Sequence, residues 1–509
     1  MKNNFIGLLT TLIVFCSSGF AQDYSVTNVK KVSPRNYGVI TKNDEVTGYY
    51  FFYKTDKLKN GQRAFEIRTL DANLNEVSKK SIVQGKLTYM LEAAYNGSNL
   101  LFKFYDRKLK KVIYRVMDKD GEITKGVSRL ATKYEMRTYN VALQAGRDNF
   151  MSVSSPNSNG FIDVYSDKAE AYSYKIAYID NEGKIKWTYK PKAPKGVFTG
   201  SYMTASNSQI LILESTAKSI TSKDYKFYLK GISFEGSEKF HIPLSSKMYN
   251  LMPHNAFMAK DGNGFTLIGE HFDINKKMMK AESEGVFMRD ISEEGLWENE
   301  TFLGWDSDIK PLMSAEEYDK SKKFSVLFHD VVRTKDGNII AIGEQYKKQV
   351  SALGMMSDEA SGMEIRLGDM IMIHINKDRE LENVNTFDKK NRSVLLPEGS
   401  AFMNTHLLGK ILKANGWMDY EFNQFSADKS VNTIAFYDRE KQKGKLARQA
   451  VIQLVNFVDA DNGFTNDKIS LDTDANEMWI TRGKPGFITV LEYWRKEKKV
   501  TWRLEVVNF

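Results

Sequence analysis

Along residues 88–130, apolar and polar positions alternate with a period of two in four runs: "TYMLEAAY", "NLLFKFYD", "KVIYRVMD" and "ITKGVSRL". Such a period sends successive side chains to opposite faces of an extended chain, so each run predicts a β-strand. The connections "NGS", "RKLK" and "KDGE" are short and polar, as hairpins require. The same design recurs. A polar turn followed by a strongly apolar strand begins near Asn43, Asn96, Arg147, Ser206, Asp261, Asp336, Asp428 and Asp474. One or two strands later a second turn joins an alternating strand to a polar one, as in "FEIRTLDANLNEV", "IYRVMDKDGEITKG", "YKIAYIDNEGKIKW", "LKGISFEGSEKFHI", "VFMRDISEEGLWENE" and "MIHINKDRELENV".

A single four-stranded sheet of this size has too little core to stand alone, so the copies must stack. Radial stacking predicts an all-β fold, a single β-propeller of eight four-stranded blades that shields its sheet edges. The expected blades span 35–83, 88–130, 138–190, 200–244, 254–302, 328–388, 418–460 and 466–509. Seven blades is the alternative, because "FTNDKISL" serves equally as the last strand of the seventh unit or the first of the eighth. Residues 24–31, "YSVTNVKK", are expected to add an outer strand to the last blade and close the ring. Tandem β-sandwiches share the spacing, but no Pro-, Gly- or Ser-rich linker divides residues 22–509, which favours one ring.

Helix is expected only in insertions. "SAEEYDKSKKF" opens with the capping box Ser314 and Glu317, and "SAFMNTHLLGKILKANG" ends on Asn415 and Gly416, a C-cap pair. Met403, Leu407 and Ile411 would line one face of the second helix and pack on the rim.

The first 21 residues carry an early lysine, an apolar run from Phe5 to Phe15, and small residues at Gly19 and Ala21. They read as a signal peptide cut after Ala21, which places the mature chain outside the cytoplasm, periplasmic or secreted, with no transmembrane segment. Cys16 is the single cysteine and falls in this leader, so the mature chain has no disulfide, zinc thiolate or cysteine nucleophile. The formal charge of +9 suits anionic envelope or glycan surfaces in such a compartment better than nucleic acid.

In a blade the A–B and C–D turns share one end of the ring and the B–C and D–A loops the other. Turns at the first end are short and acidic, with "RKEKK" at 495–499 as the exception, while every long insertion falls at the second. Basic residues concentrate at that second end in blades 1, 2, 7 and 8: Lys54, Lys57, Lys59, Arg107, Lys108, Lys110, Lys111, Arg439, Lys441, Lys443, Lys445, Arg448, Arg482 and Lys484. They predict one continuous arc for phosphate or carboxylate groups; solvated lysines that only maintain solubility give the same pattern. The methionine-rich run "SALGMMSDEASGMEIRLGDMIMI" reads as an insertion folded on itself rather than a partner surface.

Catalytic and cofactor motifs are absent. His241, His254, His271, His329, His374 and His406 lack metal-ligand spacing, and no HExxH, GxSxG, P-loop or GxGxxG occurs. "STAK" at 215–218 matches SxxK without its partner motifs, and "DADNGFTND" from Asp459 fails the calcium-loop pattern. "YIDNEGKIKW", Tyr178 to Trp187, resembles the blade repeat of quinoprotein-like (PQQ-type) propellers, where a turn glycine precedes a strand Trp that docks between blades; Trp297 and Trp502 are partial echoes. The resemblance implies the fold and not redox chemistry, since the vicinal disulfide of those enzymes cannot form here. In layout the chain resembles secreted β-propellers of Gram-negative bacteria. The functional expectation is a monomeric, non-catalytic platform without cofactor or metal, holding a protein or an anionic glycan of the envelope; the alternative is a hydrolase or lyase acting on polysaccharide or peptide at the central channel.

Overall fold

The turn at Asp180 shows how the hairpins form. One oxygen of its side chain accepts hydrogen bonds from the backbone N–H groups of Glu182 (3.0 Å) and Lys184 (2.8 Å). Gly183 adopts φ +79°, a conformation that costs other residues their Cβ clearance. Asp71 and Asp118 organise equivalent turns through the N–H groups of Asn73 and Asn75, and of Asp120 and Glu122.

A computed structural model describes residues 23–507 apart from 33–35, 43, 59–60, 146–151, 168–172, 193–195, 220–221, 223–224, 260–261, 278–280, 322–323, 351–362, 391, 396–408, 410–411, 414–415, 442–447, 459–462 and 471–472. The chain forms eight separate antiparallel sheets, an eight-bladed β-propeller. With strands lettered A to D from the axis outward, blade 1 spans 37–85, blade 2 88–130, blade 3 153–189, blade 4 197–243, blade 5 249–304, blade 6 325–387, blade 7 420–470 and blade 8 477–506. Arg392–Leu395 adds a fifth strand to blade 6. A strands of neighbouring blades contact one another around the ring, blades 8 and 1 included; between blades 6 and 7 the Asn423 amide donates to Asp330 at 2.6 Å.

Blade 8 takes its outer strand from the other end of the chain. Asp23–Val26 pairs antiparallel with Lys499–Val506, from Asp23 opposite Arg503 to Val26 opposite Val500. Behind this seam Trp502 is fully buried, with edge contacts to Tyr37, Tyr49 and Phe51 at ring separations of 5.8, 5.5 and 5.8 Å. The closure expected from residues 24–31 is therefore present, and it excludes a tandem of sandwiches.

Three boundaries differ from expectation. Gly463–Ser470 is strand D of blade 7, pairing with Arg448–Val458. Blade 8 therefore begins at Glu477, and its strands shift by one position in the unit. Blade 3 begins at Val153, and residues expected to open it form a helix, Lys133–Ala145. Thr132 and Glu135 make a reciprocal capping box there, with Glu135 N–H donating to Thr132 Oγ1 (3.1 Å) and Thr132 N–H to the Glu135 carboxylate (2.9 Å). Met136, Tyr139 and Leu143 face the core between blades 2 and 3.

The other helix forms as Ala315–Ser321, with the Ser314–Glu317 box in place. Of the later insertion, Gly409, Leu412 and Lys413 are helical, and Gly416 at φ +64° donates its N–H to the Lys413 carbonyl. Leu412 is buried against blade 6 beside Leu327 and Tyr346. Met403, Leu407 and Ile411 lie outside the described residues. The methionine-rich run is strand for much of its length: Met363–Ile375 is strand C of blade 6, with Met370 and Met372 in the core. Trp187 bridges two blades, donating from Nε1 to the Phe234 carbonyl of blade 4 (2.7 Å) and stacking on Tyr178.

Candidate functional site

Strand B of four blades ends its apolar run on a glutamate at the sixth position: "QILILE", "FTLIGE", "IIAIGE" and "FITVLE". Glu214, Glu270, Glu344 and Glu492 are all buried, and a buried carboxylate must be paired or hydrogen-bonded. Glu214 meets Lys230 (3.2 Å) and His241 (3.0 Å). Glu270 meets His254 (2.7 Å), and Glu344 meets His329 (3.2 Å) and Lys389 (2.9 Å). Blades 2 and 3 are joined by a comparable cluster, in which Lys103 reaches Asp163 (2.8 Å) and Glu92 (3.2 Å).

The cluster at blades 6 and 7 reaches a further acid. Lys389, with its side chain wholly buried, also contacts Asp419 at 2.6 Å, and the Asp419 N–H donates to Glu344 at 2.9 Å. Burial opposes charging of Lys389, but Glu344 and Asp419 outweigh it and hold its pKa above the usual lysine range. Burial likewise opposes the Glu344 carboxylate, and Lys389 with His329 overcomes it and keeps the acid below its ordinary value. His329 goes the other way, because burial lowers its pKa against the pull of Glu344.

Strand A of blades 5, 6 and 7 carries a bulge where the register skips His254, His329 and Glu421. Blades 2 and 4 skip Leu91 and Met203 at their own bulges. A bulge re-aims one side chain next to the axis. His254 and His329 turn back onto their glutamates, and His329 also stacks on Tyr420 at 4.8 Å. Glu421 stays open to solvent, yet the surrounding protein and the Asp419 carboxylate push its carboxyl up to about 8.

Above this cluster, at the insertion-bearing end, a cleft of about 600 Å³ opens between blades 6 and 7. Seven basic residues line it, Lys320, Lys347, Arg366, Lys389, Lys390, Arg439 and Lys468, against the three carboxylates of Asp369, Asp388 and Asp438. A smaller cavity of about 240 Å³ shares Lys390, Asp438 and Arg439 with it and reaches inward to Arg392, Asp419 and Glu421. Lys389 is committed to its buried acids, whereas Arg439 and Lys468 are exposed.

Of the basic residues singled out in the sequence, Arg439 alone lines this cleft among the described residues. Arg107, Lys108 and Lys110 sit on the B–C loop of blade 2, which Lys111 closes, at the insertion-bearing end. Lys57, Lys441 and Arg448 occupy strand ends at that same end, and Lys59, Lys443 and Lys445 lie outside the described residues. Arg482 and Lys484 are corrected. With blade 8 beginning at Glu477 they fall in its A–B turn, at the opposite end of the ring, where Lys484 Nζ donates to Asn73 of the blade 1 C–D turn (2.7 Å). The same shift moves Arg495–Lys499 into the B–C loop of blade 8, so "RKEKK" takes their place between blades 7 and 1. Among the described residues no group of three or more His, Cys, Asp or Glu is arranged to hold a metal, and no helix is long and apolar enough to cross a membrane. Asp459 and Asp461 lie outside the described residues.

Residues 1–508 match one family along their whole length. The chain belongs to the Family of unknown function (DUF6770). No curated protein matches this DUF6770 chain. Among solved structures it is similar to prolyl oligopeptidase B from Galerina marginata, at 8% identity and TM-score 0.41, covering 91% of this chain and 56% of that one. It is also similar to a PL25 ulvan lyase (9%, TM-score 0.40, 82% and 91%) and to the β-propeller domain of the Trilobed protease from Pyrococcus furiosus (10%, TM-score 0.34, 73% and 99%). The chain spans about half the length of the prolyl peptidases it resembles. At these identities the likeness says no more than the fold.

The cleft residues escaped the sequence because they are spread from Lys320 to Lys468 over two blades and two D–A connections. The buried glutamates were not singled out in the sequence either, although their signal was present: each ends an apolar strand run at the same position, and two of them have a histidine on the preceding strand.

Proposed function

We propose that this chain is an extracytoplasmic, non-catalytic platform whose insertion-bearing end holds an anionic glycan. The observation that carries this reading is the cleft between blades 6 and 7, where six basic side chains besides the committed Lys389 face three carboxylates. A cleft with that surplus concentrates polyanions, and guanidinium groups such as Arg366 and Arg439 match carboxylate or sulfate oxygens in two-point contacts. The apolar run from Phe5 to Phe15 with small residues at Gly19 and Ala21, read as a signal peptide, supports the compartment, and the basic loops of blades 2 and 8 extend the same face. Binding of heparin or polygalacturonate to the wild type and to Arg439→Glu/Lys468→Glu tests it. Both residues are exposed, so the fold is retained; affinity falls at least about tenfold and the salt dependence flattens, since each lost contact releases fewer counterions. Equal affinity for the variant overturns the reading.

A second reading, an enzyme acting on polysaccharide or peptide at the channel, is favoured by one observation. Glu421 sits at a strand bulge beside Asp419 with its carboxyl raised to about 8, in the range of a general acid at neutral pH. Against it, the two His–Glu pairs, each on a buried glutamate, recur at the same place in blades 5 and 6, as fold devices do. Release of reducing ends or unsaturated products from the bound polymer, abolished by Glu421→Gln, would replace the first reading with this one.

A further inference from the structure

Four connections at the insertion-bearing end of blades 1 and 2 are tied side by side by backbone hydrogen bonds. The B–C turn of blade 1 closes from Leu58 N–H to the Gln62 carbonyl (3.1 Å), and its Gly61 carbonyl accepts from Lys86 N–H (2.9 Å) on the connection to blade 2. The Leu87 carbonyl accepts from Arg107 N–H (3.0 Å) in the B–C loop of blade 2. The Lys110 carbonyl of that loop accepts from Ala131 N–H (2.9 Å), just ahead of the helix Lys133–Ala145. The four connections therefore present one surface.

Its composition inverts the usual rule that connections are polar. Leu58, Leu87, Leu109, Leu130 and Tyr134 are all exposed, Leu109 to 56% and Leu130 to 72%. The turns at the other end of the same two blades are built largely from Asn, Asp and Gly, and the leucine among them, Leu74, is buried. In the B–C loop of blade 2 it is the acid that turns inward. Asp106 is buried, accepting from Leu109 N–H (2.8 Å) and from the Thr88 hydroxyl (3.1 Å), while the Leu109 side chain stays outside. Between the apolar tips stand Lys86, Arg107, Lys108, Lys110 and Lys133, all exposed, and none forms an ion pair among the described residues.

We propose that this end of blades 1 and 2 docks on an anionic lipid bilayer, with the leucines and Tyr134 entering the boundary between headgroups and acyl chains and the five cations level with the lipid phosphates. Interfacial binding draws on buried apolar area and on attraction to anionic lipid together, and each basic side chain near the leaflet adds to it. Two features favour a bilayer over other occupants. The leucines stand singly on separate connections, which a fluid surface accommodates, whereas a protein interface is organised around a packed centre. A soluble polyanion would engage the cations and leave the leucines in water. Because no helix among the described residues is long and apolar enough to cross a membrane, the contact described here is a peripheral one. It does not rest on the glycan reading of the cleft at blades 6 and 7.

Co-sedimentation of the chain from Gln22, which holds every strand of the ring, with vesicles of phosphatidylglycerol and phosphatidylcholine in equal parts tests this. The chain partitions onto them and not onto phosphatidylcholine alone. Lys108→Glu/Lys110→Glu lowers the partition coefficient at least about tenfold, and Leu109→Ser/Leu130→Ser lowers it at least about fivefold, both with unchanged melting profiles because the four side chains are exposed. Arg439→Glu/Lys468→Glu leaves partitioning intact, which separates this surface from the cleft. A leucine variant that binds as well as the wild type overturns the proposal and assigns the loops to soluble polyanions. Absence of partitioning onto the anionic vesicles overturns it too, and a wild-type self-association abolished by the leucine variant would then assign the surface to a second copy of the chain.

Discussion

Lys389→Met is the most demanding test of how blades 6 and 7 are joined. The substitution preserves most of the side-chain volume but withdraws the positive charge from between Glu344 (2.9 Å) and Asp419 (2.6 Å), both of which remain buried. Removing one member of a buried pair leaves an uncompensated charge and costs about 3–5 kcal/mol. The sign with pH follows from the shifts. In the wild type the Glu344 carboxyl is held low, so its stabilisation is fully present above the unfolded value and is lost as pH falls towards the depressed one. In the variant burial acts unopposed by lysine on both acids and raises them. They then take up protons as pH drops, and the penalty shrinks from pH 8 to pH 5. Urea denaturation followed by tryptophan fluorescence at both pH values measures it, and Lys389→Met/Glu344→Gln recovers part of the loss. A penalty below about 1 kcal/mol, or one equal at pH 5 and pH 8, would refute the view that this lysine compensates the two acids.

Trp502→Ala empties a fully buried site at the closing seam and should cost about 3–5 kcal/mol, read as a lowered denaturation midpoint; a change under 1 kcal/mol would show that the seam contributes little. Thr132→Ala removes half of the capping box and costs about 1 kcal/mol, with increased amide exchange confined to the helix Lys133–Ala145; a uniform increase would place the effect elsewhere. Because the Glu421 carboxyl is raised to about 8, its folded form holds a proton that the unfolded chain releases near pH 4.5, so stability declines as pH rises through that interval. Glu421→Gln flattens this decline, and an unchanged slope would locate the titration in another group.

The tight turns were legible because their chemistry is local: Asp180 satisfies the N–H groups two and four residues on, and Gly183 takes the positive φ. The ring closure was legible because "YSVTNV" reads as a strand with no partner nearby in sequence. Blade 3 was misplaced because Tyr139, Val141 and Leu143 are spaced by two and imitate a strand. The capping box at Thr132 and Glu135 was the stronger signal, and it was present in the sequence. The blade 7 boundary was ambiguous for a physical reason. An eighth blade that borrows its outer strand from residues 23–26 has only three strands in sequence, so counting four from either side claims "FTNDKISL" twice. That one-strand slip is what carried Arg482 and Lys484 to the wrong end of the ring.

The same logic bears on how the buried charges should be read. A His–Glu pair beside a channel invites a catalytic interpretation, yet the pairing of His254 with Glu270 repeats that of His329 with Glu344 one blade later, in the same strands and at the same bulge. A feature that recurs with the structural repeat belongs first to the stacking of blades, and one that breaks the repeat has to be explained by something else. Two features break it: Glu421, which replaces histidine at the blade 7 bulge, and the concentration of arginine and lysine in the blade 6–7 cleft. Both belong to the junction of blades 6 and 7, where strands A bend at titratable residues and the D–A connection entering blade 6 carries a helical insertion. The departures from symmetry, rather than the repeated wedge of each blade, are what the stacking of blades leaves unexplained.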